Sequence, residues 1–210
     1  MDAYPFIHLV LICHRLGTAA GNTYYCDNFV AGDEIYLFGF SRGSYTVRSL
    51  CGLINNCGIL KRPDARLIQT AFEHYKKPGA SHAPDSSKSQ AFRARHCHPN
   101  RTIKFVGVWD TVGALGIPFS FLGLLDREDE FYDTKMGDNI LIARHALAID
   151  ELRSDFEPTI WHDREHMTLQ QVWFSGNSIS QPACSRTSTV ALATLSKKAS
   201  QRQVAMSWIL

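Results

Sequence analysis

A compact β-branched and aromatic run, Glu34-Ile35-Tyr36-Leu37-Phe38-Gly39-Phe40, passes through one serine, Ser41, into a stretch with helical spacing. In that stretch Val47, Leu50, Leu53 and Ile54 recur three and four residues apart, and Gly58 follows as a helix-ending glycine. The run is apolar at both odd and even positions. This predicts a strand buried on both faces within a parallel sheet. Strand 34–40, a sharp turn and helix 44–56 together restrict the chain to an α/β architecture, because a parallel strand needs a helical crossover to reach its neighbour.

The rest of the chain extends this reading. Residues 64–77 place Leu67, Ile68, Ala71, Phe72 and Tyr75 on one helical face. Residues 78–90, rich in Pro, Gly and Ser, read as a mobile polar loop. Ile103 to Trp109 is a second buried strand ending at Asp110, and residues 169–174 are a third. Residues 139–152 read as a helix with Ile142, Ala146 and Ile149 inward. Residues 117–125 are apolar, suiting a core helix or a lid. Residues 177–203 carry little periodicity. The organisation expected is a divergent segment over 1–30, an α/β-hydrolase-like domain over 31–176 and a divergent segment over 177–210.

Composition narrows the function classes. The 210 residues hold 22 Lys+Arg against 20 Asp+Glu, a net charge of +2, with 45% hydrophobic residues. Such a balance excludes wholesale disorder and gives no pull toward nucleic acid. The six cysteines, at 13, 26, 51, 57, 97 and 184, form no C-x-x-C pair. They read as free thiols of a reducing compartment, hence a cytoplasmic expectation. The run Phe6–Cys13 is too short to span a bilayer, and no other segment is a transmembrane candidate. His96-Cys97-His98 is adjacent residues rather than a metal-spaced set, and His162/His166 lacks the glutamate that zinc hydrolases place after the first histidine. Neither metal nor cofactor is expected. The sequence specifies no oligomeric state.

Gly39-Phe40-Ser41-Arg42-Gly43 fits G-x-S-x-G. A serine on a strained strand-to-helix turn needs flanking glycines so that the backbone can pass without Cβ clashes. The backbone N–H of Arg42 is then available to an oxyanion. A serine nucleophile also needs a base and an acid that orients it. Asp110 ends the next parallel strand, at the same sheet edge as Ser41, and is the candidate acid; a turn cap beside Thr111 is the plainer alternative. His145 is the candidate base, although a histidine on a helix is more often structural.

Four blocks, GDEIYLFGFSRGSYTVRSLCGLI, KFVGVWDTVGALG, ARHALAIDELRSDFEPTIW and QVWFSG, resemble the catalytic domain of type VI secretion phospholipase effectors and related fungal and bacterial proteins, over roughly residues 24–176. The resemblance implies an α/β-hydrolase-like, mainly parallel sheet flanked by helices. It also implies a lipid or phospholipid ester substrate with transient contact at a membrane surface. In the same terms Ser41 is the nucleophile and Asp110 the acid. Two family features are missing. A D-G-T-W-N-like first strand is absent, which leaves a sheet edge unpaired. The H-S-D-[IV]-G-G-G-Y block is replaced by Asn177-Ser178-Ile179-Ser180, so the family histidine there is gone. Val204 to Trp208 resembles the family's A-L-x-W-M helix. The expectation is a weak or impaired esterase, with a non-catalytic scaffold or interaction module as the alternative.

Overall fold

The computed structural model describes residues 29–40, 42–62, 64–77, 79–109, 136–151, 160–175, 190–195 and 204–209. The described elements run β1 (Glu34–Phe40), α1 (Arg42–Cys57), α2 (Ala65–Lys76), a 3-10 turn (Ala80–His82), α3 (Ser87–His96), β2 (Ile103–Trp109), β3 (Ile140–Ala148), β4 (Thr168–Phe174), β5 (Val190–Leu195) and β6 (Val204–Ile209). Backbone alone is described for β5, β6, Arg42 and Tyr45.

The strands form one six-stranded sheet in the order β4-β3-β2-β1-β5-β6. The first four are parallel to one another, and β5 and β6 are antiparallel. A turn sets up β1: the Asp33 N–H donates to the Val30 carbonyl, and the Val30 N–H donates to the Asp33 carboxylate. Along β1, Ile35, Leu37 and Gly39 point into the core while Tyr36, Phe38 and Phe40 are half-buried. The strand expected to be buried on both faces is therefore asymmetric. Its second face joins a row of rings, with Phe38 centred 5.4 Å from Phe105 and 6.5 Å from Trp109.

Helix α1 lies against the other face. Val47, Leu50, Cys51 and Ile54 pack on Ile35, Leu37, Val106, Val108 and Ala143. Its outer side, Leu53 and Cys57, is covered by Ala71, Phe72 and Tyr75 of α2. Enclosed on both sides, α1 buries polar residues too, among them Ser44, Arg48, Asn55 and Asn56, and buried polar groups need partners. Gly58 ends the helix as expected, at φ 76° with its N–H donated to the Ile54 carbonyl. Asp64 caps α2 by accepting the N–H groups of Arg66 and Leu67.

Four local expectations change. Residues 139–152 are not a helix: β3 occupies 140–148, held between β2 and β4, and two ladders override the helix propensity of its Ala, Leu and Arg residues. The loop over 78–90 becomes a 3-10 turn and then α3, whose N-cap Ser86 accepts the Ser89 N–H. Val204–Ile209 is a strand instead of a helix. The sheet edge expected to lie unpaired for want of a first strand is not that of β1, which carries β5 from Glu34↔Leu195 to Gly39↔Val190. The segments 1–28, 110–135, 152–159 and 176–189 hold the Phe6–Cys13 run, the 117–125 patch and the Asn177–Ser180 stretch, which lie outside the described residues. Among the described residues no helix is long and apolar enough to cross a membrane.

Candidate functional site

The sequence places its candidate nucleophile and acid just beyond the carboxyl ends of β1 and β2. Those ends are level: Phe40 is the register partner of Trp109, and Gly39 that of Val108. One position separates the last residue of β1 from the first of α1, and that position is Ser41. Ser41 and Asp110 themselves lie outside the described residues, as does the side chain of Arg42.

What surrounds them is described. A Cβ on Gly39 would stand 2.6 Å from the Gly43 carbonyl oxygen and 2.7 Å from the Ser44 Cα. Both are backbone atoms, so the close approach of strand end and helix start requires glycine at 39. The Ser44 hydroxyl is fully buried. It lies 2.8 Å from the Gly39 carbonyl oxygen and 2.7 Å from that of Trp109, its one proton shared between them. Ser44 thus ties together the ends of the two strands that lead to Ser41 and Asp110. Sequence reasoning missed it; a polar residue three positions after Ser41, in a helix buried nearly all round, was the available signal.

His145 sits on β3 and not on a helix. Its register partners are Val108 on β2 and Gln171 on β4. It is therefore level with Gly39 rather than beyond the strand ends, and two strand spacings, roughly 10 Å, from β1. The side chain is only 2% exposed. Its Nδ1 lies 3.2 Å from the Gln171 Oε1. Gln171 is fixed in turn by Trp161, accepting its N–H at 2.9 Å and donating to its carbonyl at 3.0 Å. The indole of Trp161 lies 4.9 Å from the imidazole and 4.4 Å beneath the Arg48 guanidinium. Nδ1 as the donor leaves Nε2 a bare lone pair, and Nε2 has no hydrogen-bond partner among the described residues. Burial first, then the nearby Arg48 charge, pull the imidazole down to about 4, against the hydrogen bond to Gln171. It is neutral at physiological pH and a reluctant proton acceptor.

Of the other histidine candidates, His162 is exposed, and His96, His98 and His166 each face a neighbouring side chain. Cys97 is buried in an isolated β-bridge with Leu60, its thiol donating to the Cys57 carbonyl. The flanking rings turn to different neighbours, His96 to Phe92 and His98 to Phe29. His166 and Arg164 both face the exposed carboxylate of Asp138. Among the described residues no group of three or more His, Cys, Asp or Glu could hold a metal ion.

A mainly parallel α/β sheet, turning from strand to helix within one residue at a level carboxyl edge, defines the class. Comparison with known families carries this further. The T6SS phospholipase effector Tle1-like catalytic domain matches residues 18–209, a span that includes both the four blocks and the 177–203 stretch. The chain belongs to that family. It is also similar to the uncharacterized protein YEL023C of Saccharomyces cerevisiae, 30% identical over 135 residues; this covers 61% of the chain and 19% of the yeast protein. No solved structure matches the chain.

Proposed function

We propose that the chain is a low-turnover lipid ester hydrolase centred at the carboxyl edge of β1 and β2, with Ser41 as nucleophile and Asp110 as acid. The observation that carries this reading is the level pairing of Phe40 with Trp109, reinforced by the Ser44 bridge between their strands. Family membership supplies the substrate class, a phospholipid-like ester. The Ser41 Oγ attacks the ester carbonyl and its proton passes to a base. The alcohol leaves carrying a proton, and water then cleaves the acyl-enzyme. The Arg42 N–H, first in the following helix, serves the oxyanion. Contact with a lipid surface is transient and follows from the substrate.

The base sets the rate. His145 is the imidazole within a family-like block, but its position below the strand ends and its pKa of about 4 favour a structural role. A base far below the working pH gains little from accepting a proton. This setting supports the second reading, a scaffold that has kept the fold without turnover.

A fluorophosphonate probe separates the two. Labelling of the 210-residue protein that disappears in Ser41→Ala supports an activated serine, and slow hydrolysis of short-chain esters supports the first reading. Absence of labelling in a cooperatively folded protein would refute it. Loss of labelling in Asp110→Asn, with the fold retained, would support the acid.

A further inference from the structure

At the end of the sheet opposite to the Phe40–Trp109 edge, a surface hollow of about 360 Å³ opens between the segment after α1, the last turn of α3 and the lead-in to β2. Lys61, Arg93, His98 and Arg101 line it, with Cys97 and Pro99 between them, and among the described residues no acidic one does. Part of this positive charge has a structural purpose. Arg93 Nη1 donates to the Asn56 carbonyl at 2.6 Å, and Arg101 Nη1 donates to the carbonyl and side-chain oxygen of Asn55. Both guanidiniums therefore cap the carboxyl end of α1, and α3 ends beside them.

The magnitudes show that capping does not account for the whole cluster. A helix carboxyl terminus carries about half a negative charge, so two such ends offset about one cation. Lys61, Arg93 and Arg101 supply three, leaving a surplus of about one to two positive charges once the Asp85 carboxylate near Arg93 is counted. Each guanidinium has five N–H donors in a planar fork, and the capping bonds use one nitrogen of each. Arg93 is held below the usual guanidinium range by burial first and by the charge of Arg101 next, with Asp85 acting in the other direction. Burial, and then Lys61, likewise hold His98 low, so it enters as a neutral ring able to donate one N–H. The two arginines repel each other across a hollow whose described lining holds no carboxylate.

We propose that this hollow binds a phosphate group. A tetrahedral anion of up to two charges matches the surplus, and its oxygens suit two guanidinium forks and an ammonium better than a planar carboxylate does. The volume admits a phosphate with a small attached group. The site is separate from the proposed ester-cleaving centre. The sixteen residues of α1, about 24 Å long at 1.5 Å per residue, stand between Arg42 and the hollow. A phospholipid whose ester lies at Ser41 cannot place its own phosphate here, so the ligand is a second molecule, either a soluble phosphate ester or the head group of an anionic lipid.

The test titrates inorganic phosphate into the 210-residue protein calorimetrically, and sediments the protein with phosphatidylcholine vesicles with and without phosphatidic acid. Inorganic phosphate is expected to bind, and Lys61→Glu to weaken it by about tenfold or more. Lys61 is exposed, and its backbone N–H, which donates to the His96 carbonyl, survives the change. Should Lys61→Glu fail to fold, Lys61→Gln gives the same readout with a loss of about threefold. Lys77→Glu alters net charge equally, away from the hollow, and is expected to leave binding unchanged. Phosphate binding together with recruitment to phosphatidic acid vesicles that Lys61→Glu abolishes upholds the site and assigns a lipid source. Phosphate binding without recruitment upholds it and assigns a soluble source. Absence of phosphate binding, or equal losses in Lys61→Glu and Lys77→Glu, overturns it.

Discussion

The Ser44 hydroxyl stands 2.7 Å from the carbonyl oxygen of Trp109, 65 residues further along the chain. It is also within 2.8 Å of the Gly39 carbonyl oxygen. A side chain of α1 therefore spans the gap between β1 and β2 at the level where both strands end. A close approach of strand end and helix start has to be held from outside itself, and a fully buried hydroxyl between both strands is one way to hold it.

Replacing Ser44 by alanine removes a buried donor from two carbonyls and should destabilise the fold by about 1–3 kcal/mol. Urea unfolding of the variant would measure this. Fluorophosphonate labelling at Ser41 should slow as well, because strand ends free to separate no longer present the turn in one geometry. Unchanged stability would mean that the two contacts contribute nothing.

Gly39→Ala should be more damaging. The added methyl would lie within 2.7 Å of Gly43 and Ser44 backbone atoms, and no side chain can move aside to make room. A loss of roughly 3 kcal/mol is expected, the upper end for overpacking. Gly32→Ala is the control: nothing lies within 4 Å of its Cβ, although φ is +99° there. It should lose only the modest strain of that conformation, about 1 kcal/mol. Comparable midpoints for the two variants in thermal melts would contradict the steric argument.

Local sequence reveals the parts of this fold that local chemistry determines. β1 and β2 keep their expected bounds because each is a short apolar run with β-formers, and Gly58 and Asp64 mark helix ends by their own conformational preferences. β3 misleads because Ala, Leu and Arg favour helix, while its conformation is decided by β2 and β4. α3 gives no apolar stripe, since Ser89 is its one buried residue. β5 is invisible locally because its partner β1 lies some 150 positions earlier, and only that pairing makes it a strand. The site divides in the same way. The glycine spacing around Ser41 and the strand-terminal place of Asp110 can be read from sequence. Ser44 between two strands, and Arg48, Trp161 and Gln171 around His145, exist only once distant segments meet.

The buried imidazole makes stability depend on pH. His145 titrates near 6.5 in the unfolded chain and near 4 in the fold, so between these values the unfolded state binds more protons. Stability should be full above about pH 6.5 and fall as pH drops toward 4, by roughly 3 kcal/mol in all. His74 and His98, also held low chiefly by burial, act in the same direction. His145→Gln should make the slope of unfolding free energy between pH 4 and 6.5 shallower without abolishing it. An unaltered slope would mean that His145 is already protonated in the fold.

The thiols offer a probe of packing. Cys51, Cys57 and Cys97 are buried thiols. Burial raises the Cys51 thiol strongly and pushes Cys57 up to about 12. Thiolate is the reactive form and Cys97 is likewise shielded by burial, so at pH 8 the native protein should leave all three unmodified by iodoacetamide, while brief exposure to urea should expose them together. Peptide mapping by mass spectrometry distinguishes these sites from Cys13, Cys26 and Cys184. Modification of Cys51 under native conditions would show that α1 separates from the sheet.

The pairing of β1 with β5 carries the last prediction. Six register pairs, Glu34↔Leu195 to Gly39↔Val190, cover the edge of the strand that leads to Ser41. Truncation after residue 189 removes β5 and β6 together. It leaves the N–H and C=O groups along that edge of β1 without partners, and an open apolar edge invites association. The truncated chain should lose about 3 kcal/mol or more, from several ladder hydrogen bonds at about 1 kcal/mol each, and should scatter light at concentrations where the full chain does not. Truncation after residue 202 removes β6 alone; β1 stays covered, so the loss should be smaller. A synthetic peptide of residues 187–210, added in trans, should restore part of the cooperative transition in the shorter truncation, because the edge it docks on is intact. If residues 1–189 unfold at the midpoint of the full chain and stay monomeric, the β5 pairing contributes nothing to the fold and the C-terminal strands are not part of the sheet in solution.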